Sequence, residues 1–319
     1  MYEPHEIPEE FANLMPQAIR RIPSSLINSL DLEEPALIHD VPEFHRLETS
    51  RAVKQLLEEF GDCDVPLDCG KTMKLKEWRE SVNRSYLKDW HINQSALARG
   101  LSPIFSTPPI FRDWLSSFHS ENSGIGKLDF LFLYWGTKGS CTGFHEDVVG
   151  TYSWSLNIRG RKLWRFYMHG QNGSSLIECF QEPGEMVFVP SGCFHTVMNL
   201  EDDTISINQN WFNETNICAV VDKVVQDYKK VSEELREFGV SFSSETERMR
   251  QIDLLVGSNN CINIPILMKI FFFILASKDL NDAAAQNAIS VCMNKMSLFA
   301  EASDQSRNLI SSTKLELPR

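Results

Sequence analysis

No stretch of this 319-residue chain is long and apolar enough to cross a bilayer. The most apolar run, Ile264 to Ala276, falls short of the roughly 20 residues a spanning helix needs and carries Pro265 and Lys269. A buried helix is expected there, and no membrane. Close C-x-x-C pairs are absent among the eight cysteines, which excludes a zinc knuckle. The cysteines read as reduced thiols of a cytoplasmic protein, or one that is nuclear as well. Positive charge is scarce: 31 Lys and Arg stand against 43 Asp and Glu, for a net charge of −12. A surface built to neutralise phosphates is therefore excluded, and no direct nucleic-acid binding is expected. The first residues lack a basic region followed by an apolar run, so no signal peptide is expected. Internal repeats, low-complexity tracts and a Ser-His-Asp or Cys-His signature of nucleophilic catalysis are missing too.

A 42% hydrophobic content supplies a sizeable core. Three regions are expected: an N-terminal arm and helix over 1–61, a strand-rich domain over 62–215, and a helical region over 216–319. Residues 1–50 read as an irregular arm or short helices, and Arg51 to Phe60 as a helix with Val53, Leu56, Leu57 and Phe60 at helical spacing. Thr72 is expected to cap a helix running through Val82. Strands dominate from Leu128. Tyr152 to Arg159 and Thr204 to Trp211 alternate cleanly, each with one small polar face: Ser153, Ser155 and Asn157 on the first, Thr204, Ser206 and Asn208 on the second. Lys162 to Tyr167 and Glu185 to Val189 are further strands, with 168–175 a loop between them. Many short strands with Gly and Pro turns predict a jelly roll. Polar faces inside such a fold point to a wet cavity. Helices are expected over Asn216 to Phe238, Ile262 to Ala276 and Ala283 to Phe299, with a polar stretch over 239–260 and a frayed end.

One constellation carries chemistry. His145 and Asp147, in Gly143-Phe-His-Glu-Asp147, stand two apart, so on an extended strand they point the same way. His195 arrives later, after the turn Pro190-Ser-Gly192. Two imidazoles and a carboxylate on one face of a metal are the facial triad of non-haem Fe(II) oxygenases, which leaves coordination positions open. Glu146, between the first two, is expected to point away. Lys162 opens a strand whose same face carries Trp164 and Phe166. A lysine turned toward an apolar interior is costly unless an anion meets it.

Phe144-His-Glu-Asp147, Asn157 to Trp164, Gly184 to Gly192 with His195, and Thr204 to Trp211 together resemble a JmjC domain. The resemblance covers about residues 62–240. It implies a double-stranded β-helix, a cupin-like jelly roll, and an Fe(II)- and 2-oxoglutarate-dependent dioxygenase. His145, Asp147 and His195 match the metal ligands. Lys162 matches the lysine that meets the distal carboxylate of 2-oxoglutarate. Tyr86, Thr142 and Asn208 match further contacts to that cosubstrate.

Tyr86 to His91 and the run Gly184 to Trp211 narrow the likeness to a JmjC subfamily. Its members are understood as lysyl hydroxylases of the eukaryotic translation termination factor. This chain departs from them by being short at its N-terminus and between Phe166 and Glu182. The expected partners are thus a protein substrate, O2 and 2-oxoglutarate. Two other readings stand beside hydroxylation: removal of a methyl group from N-methyl-lysine, and a non-catalytic JmjC binding module. The intact triad with Lys162 weighs against the module.

Overall fold

Alternation of large apolar and small polar residues drives the strands that build this molecule, and helical spacing takes over beyond them. The computed structural model describes residues 6–42, 45–107, 111–121, 128–170, 173–276 and 283–302. By internal packing the chain forms two units: Met1–Phe111 with Phe130–Asp147 and Tyr152–Asn210, and Arg112–Asp129 with Val148–Thr151 and Trp211–Arg319.

The first unit holds β1 (Gln17–Ala18), β2 (Arg20–Pro23), β3 (Ala36–His39), α1 (Ala52–Phe60), β4 (Asp64–Pro66), β5 (Thr72–Lys74), α2 (Leu75–Glu80), β6 (Leu87–Trp90) and α3 (Ile92–Ala98). After α4, which belongs to the second unit, come β7 (Leu131–Gly136), β8 (Cys141–His145), β9 (Tyr152–Arg159), β10 (Lys162–Gly170), β11 (Gly173–Gln181), β12 (Met186–Val189), β13 (Phe194–Asn199) and β14 (Thr204–Trp211). One sheet has the order β1-β11-β10-β13-β8, and the other β2-β3-β12-β9-β14-β7-β6. Trp164, Phe166, Cys179 and Val197 of the first meet Leu37, Val187 and Val189 of the second in one buried cluster. Two mainly antiparallel sheets packed face to face over a shared core are the predicted jelly roll.

The polar faces look inward. Ser153 and Ser155 pair with Val189 and Val187, residues of that cluster, and opposed residues in a ladder share a face. The turn joining β9 to β10 needs Gly160, whose φ is +75° and whose missing Cβ leaves room for Thr204.

Three local expectations change. Thr72 caps nothing: it pairs with Pro66 in the β4–β5 hairpin, and α2 begins at Leu75 and stops at Glu80. Residues 168–175, expected as a loop, are mostly ladder, since β10 and β11 stay paired from Lys162–Gln181 to Gly170–Gly173. The arm over 1–50 contributes strands to both sheets, β1 beside β11 and β3 beside β12.

In the second unit, α4 (Trp114–Glu121) is capped by Asp113, whose carboxylate accepts from the backbone N–H of Leu115 and Ser116. Helices α5 (Ile217–Glu237), α6 (Glu245–Asn260), α7 (Ile264–Ala276) and α8 (Ala283–Ala302) follow. The stripe Val220, Val221, Val224, Tyr228 and Val231 is buried. Tyr228 donates to Asp253 of α6 and accepts from the Ile264 amide of α7. Helix α6 lies in the stretch read only as polar, and the expected fraying falls on 303–319, outside the described residues. Among those residues no single helix is long and apolar enough to cross a membrane.

Candidate metal centre and cosubstrate cavity

Strands β8 and β13 pair antiparallel with His145 directly opposite His195, so their imidazoles share one face, ring centroids 4.2 Å apart. Asp147 lies just beyond the end of β8. The ligand atoms of His145, Asp147 and His195 all fall within 4.8 Å of one another, and Glu146 is not among them. Nδ1 of His145 contacts the Gly143 carbonyl at 2.8 Å, and Nδ1 of His195 the Cys193 carbonyl at 2.9 Å. A carbonyl oxygen only accepts, so both Nδ1 atoms carry the proton and both Nε2 lone pairs are left for a metal. Burial, reinforced by His195, pushes the pKa of His145 down to about 4, which keeps that imidazole neutral and able to ligate near neutral pH. Ser153 Oγ donates to Asp147 Oδ2 at 2.6 Å, fixing one carboxylate oxygen. Trp164 stacks on His195 with centroids 5.7 Å apart and holds the ring in place.

A second cluster surrounds Lys162. Lys162 is only 2% exposed. Its Nζ donates to Ser206 Oγ at 2.5 Å, and Asn208 Nδ2 donates to the same oxygen at 3.1 Å. Burial, with the charge of Lys88 adding to it, pushes the pKa of Lys162 down to about 7. Tyr86 is buried; its hydroxyl accepts from Asn199, which stands opposite Lys162 in the ladder. The Tyr86 ring meets Tyr134 edge-on at 5.9 Å.

Thr142 would face away from His145 on a regular strand, because their spacing is odd. The β8–β13 register shifts, however, with His145 opposite His195 and Thr142 opposite Val197. That bulge brings Thr142 and His145 to the same face. The structure thus brings His145, Asp147 and His195 together, and joins Lys162 to Asn208 through Ser206. Tyr86 is set beside Asn199, and Thr142 on the metal-side face.

Sequence reasoning missed Ser153, Ser206, Tyr134 and Lys88. The two serines lay on faces already read as polar, but alternation gives a face and not a hydrogen-bond partner. Nothing local marks Tyr134 or Lys88.

The donor set fits a divalent iron: two neutral imidazole nitrogens and one oriented carboxylate, with no thiolate among them. A polar ligand is also provided for. Ser155 Oγ, on the same inward face as Ser153, is buried and has no hydrogen-bond partner among the described residues.

Comparison with known proteins agrees with this geometry. Residues 165–211 match the family described as JmjC domain, hydroxylase. The mouse 2-oxoglutarate and iron-dependent oxygenase JMJD4 is 34% identical over 236 residues, 57% of this chain and 54% of that protein. Its human counterpart is 32% identical over 57% of this chain and 55% of that protein. The Arabidopsis thaliana arginine-specific demethylase JMJ20 is 34% identical over 56% and 49%. The chain spans about half the length of these relatives. Its jelly roll carries a match to the JmjC domain, and over more than half of its length the chain is similar to 2-oxoglutarate- and iron-dependent oxygenases.

Proposed function

We propose that this chain is a protein hydroxylase that uses Fe(II), 2-oxoglutarate and O2, and that its substrate is a lysine side chain of the translation termination factor. The observation that carries the chemistry is the meeting of His145, Asp147 and His195, their ligand atoms within 4.8 Å of one another, with the buried Lys162 amine in the same unit. The substrate rests on the narrower resemblance of Tyr86 to His91 and Gly184 to Trp211.

In this reading the two Nε2 atoms and the Asp147 carboxylate hold iron, and the carbonyls of Gly143 and Cys193 keep both imidazoles in the ligating tautomer. Ser153 prevents the carboxylate from rotating away. Lys162, steadied by Ser206 and Asn208, would meet the distal carboxylate of 2-oxoglutarate, with Tyr86 and Thr142 as further contacts. Trp164 and Phe166 wall the His195 side and exclude water. When bound, iron and 2-oxoglutarate supply O2-driven oxidation of a C–H bond, with release of succinate and CO2.

Mass spectrometry of a termination-factor peptide after aerobic incubation tests the proposal. Gain of one oxygen on lysine, dependent on 2-oxoglutarate, is the expected result. An unmodified peptide with the metal-loaded protein rejects the substrate.

A second reading is favoured by the similarity to JMJ20: hydroxylation of an N-methyl group, which then leaves as formaldehyde. Formaldehyde released from a methylated arginine or lysine peptide, without oxygen gain on plain lysine, decides for it.

A further inference from the structure

Lys162 is not the only basic side chain near this site. Strand β6 is the edge of the seven-stranded sheet, and β8 the edge of the five-stranded one. On β6, Leu87 pairs with Trp135 and Trp90 with Leu133, and a register shift lies between them. Asp89, at φ +57°, sits in that irregularity. Leu87 is wholly buried, opposite Trp135, which packs on Trp78. Alternation turns Tyr86 and Lys88 to the other face, which Tyr134 shares with its ladder partner Ser206.

The Lys88 ammonium lies over both rings there, 5.8 Å from the centroid of Tyr86 and 5.6 Å from that of Tyr134. Two aromatic faces hold a cation in place without neutralising it. The adjacent carboxylate is engaged elsewhere: Asp89 Oδ1 accepts from the Tyr134 hydroxyl at 2.7 Å. Lys88 stands close enough to Lys162 and to His145 for its charge to disfavour a second positive charge on either. Two ammonium groups facing one cavity repel each other unless an anion lies between them.

We propose that Lys88 is a second cationic contact for the dicarboxylate cosubstrate, so that two lysines match the two negative charges of 2-oxoglutarate. This rests on the reading of the cavity as a 2-oxoglutarate site and adds a residue to it. Lys162 meets the distal carboxylate from the depth of the fold. Lys88 meets the dianion from the edge strand, on the side open to the metal end. The tyrosines set the ammonium in place before the ligand arrives, which limits the side-chain entropy lost on binding.

Calorimetric binding of 2-oxoglutarate to the Mn(II)-loaded chain, under nitrogen and without protein substrate, tests this on wild type, Lys88→Met and Lys88→Arg. We expect Lys88→Met to weaken 2-oxoglutarate roughly 10- to 100-fold, the worth of one charged hydrogen bond. Mn(II) affinity and the ligand-free melting temperature should stay unchanged, and Lys88→Arg should restore most of the loss. Wild-type affinity in Lys88→Met overturns the proposal. In a parallel aerobic turnover assay, a defect confined to the KM of the protein substrate also overturns it and makes Lys88 a substrate contact. Failure of the wild type itself to bind 2-oxoglutarate overturns the cavity reading first, and this inference with it.

Discussion

Lys162 shows how much a single buried charge can dictate. Its ordinary pKa of 10.5 falls to about 7 because burial disfavours the ammonium. Between those values the unfolded chain holds more protons than the folded one, so this group's contribution to stability rises with pH across that window. At pH 8 the ligand-free folded protein holds Lys162 mostly neutral. A dicarboxylate prefers the ammonium, so binding at pH 8 should take up close to one proton, roughly 0.9 for a group titrating near 7. Calorimetry in buffers of different ionisation enthalpy measures this, and Lys162→Met should abolish it; zero uptake in the wild type would mean the lysine is already charged. The metal side gives two further tests. His195→Ala should lose metal and turnover together. Ser153→Ala, which frees Asp147 Oδ2, should weaken metal binding about 10- to 100-fold, as loss of a ligand's supporting partner does, with an unchanged far-UV spectrum. The His145 and Asp147 spacing was legible because a period of two fixes which side chains share a face. Ser153, Ser206 and Lys88 were not, because their roles arise only when strands distant in sequence come to lie side by side.

Elements were legible where one face differed sharply from the other. Strands β9 and β14 fit this, and their bounds in the structure, Tyr152–Arg159 and Thr204–Trp211, are those read from alternation. Strand β11 was missed because its sequence, Gly-Ser-Ser-Leu-Ile-Glu-Cys-Phe-Gln, mixes polar and apolar residues without a clean period. Helix α6 buries Met249, Ile252, Asp253 and Val256 at helical spacing, but Leu254 and Leu255 face outward and blur the stripe. Its start was nevertheless written in the sequence. Ser244 accepts from the Glu247 amide, and Glu247 accepts from the Ser243 amide, a reciprocal cap.

The missed strand also ends in a structural hub. Gln181, fully buried at the end of β11, donates to the carbonyls of Ser155 and Glu185 and accepts from the indole of Trp164. Gln181→Leu keeps the bulk but leaves those three groups without it. An unsatisfied buried polar group costs about 1–3 kcal/mol, and partial relaxation should bring the total to roughly 2–4 kcal/mol. Urea unfolding checks this. A loss below about 0.5 kcal/mol, the usual range of a surface change, would mean the clamp is not needed.

At the scale of the molecule, all seven residues singled out from the sequence lie in the first unit: Tyr86, Thr142, His145, Asp147, Lys162, His195 and Asn208. Ligands that bind only the folded state stabilise it by RT ln(1 + [L]/Kd), about 2.7 kcal/mol at a hundredfold excess over Kd. Openings that break the site feel that term in full, whereas local openings elsewhere do not. Mn(II) with 2-oxoglutarate should therefore slow amide exchange most in β8, β10, β13 and β14, by up to about 100-fold at that excess. The second unit, with its own buried contacts around Tyr228 and Ile264, should gain less in α7 and α8. Hydrogen-exchange mass spectrometry with and without the two ligands reads this peptide by peptide. Protection confined to the helices, with β8 and β13 unchanged, would place the ligand site outside the jelly roll and remove the physical basis for treating His145, Asp147 and His195 as one centre.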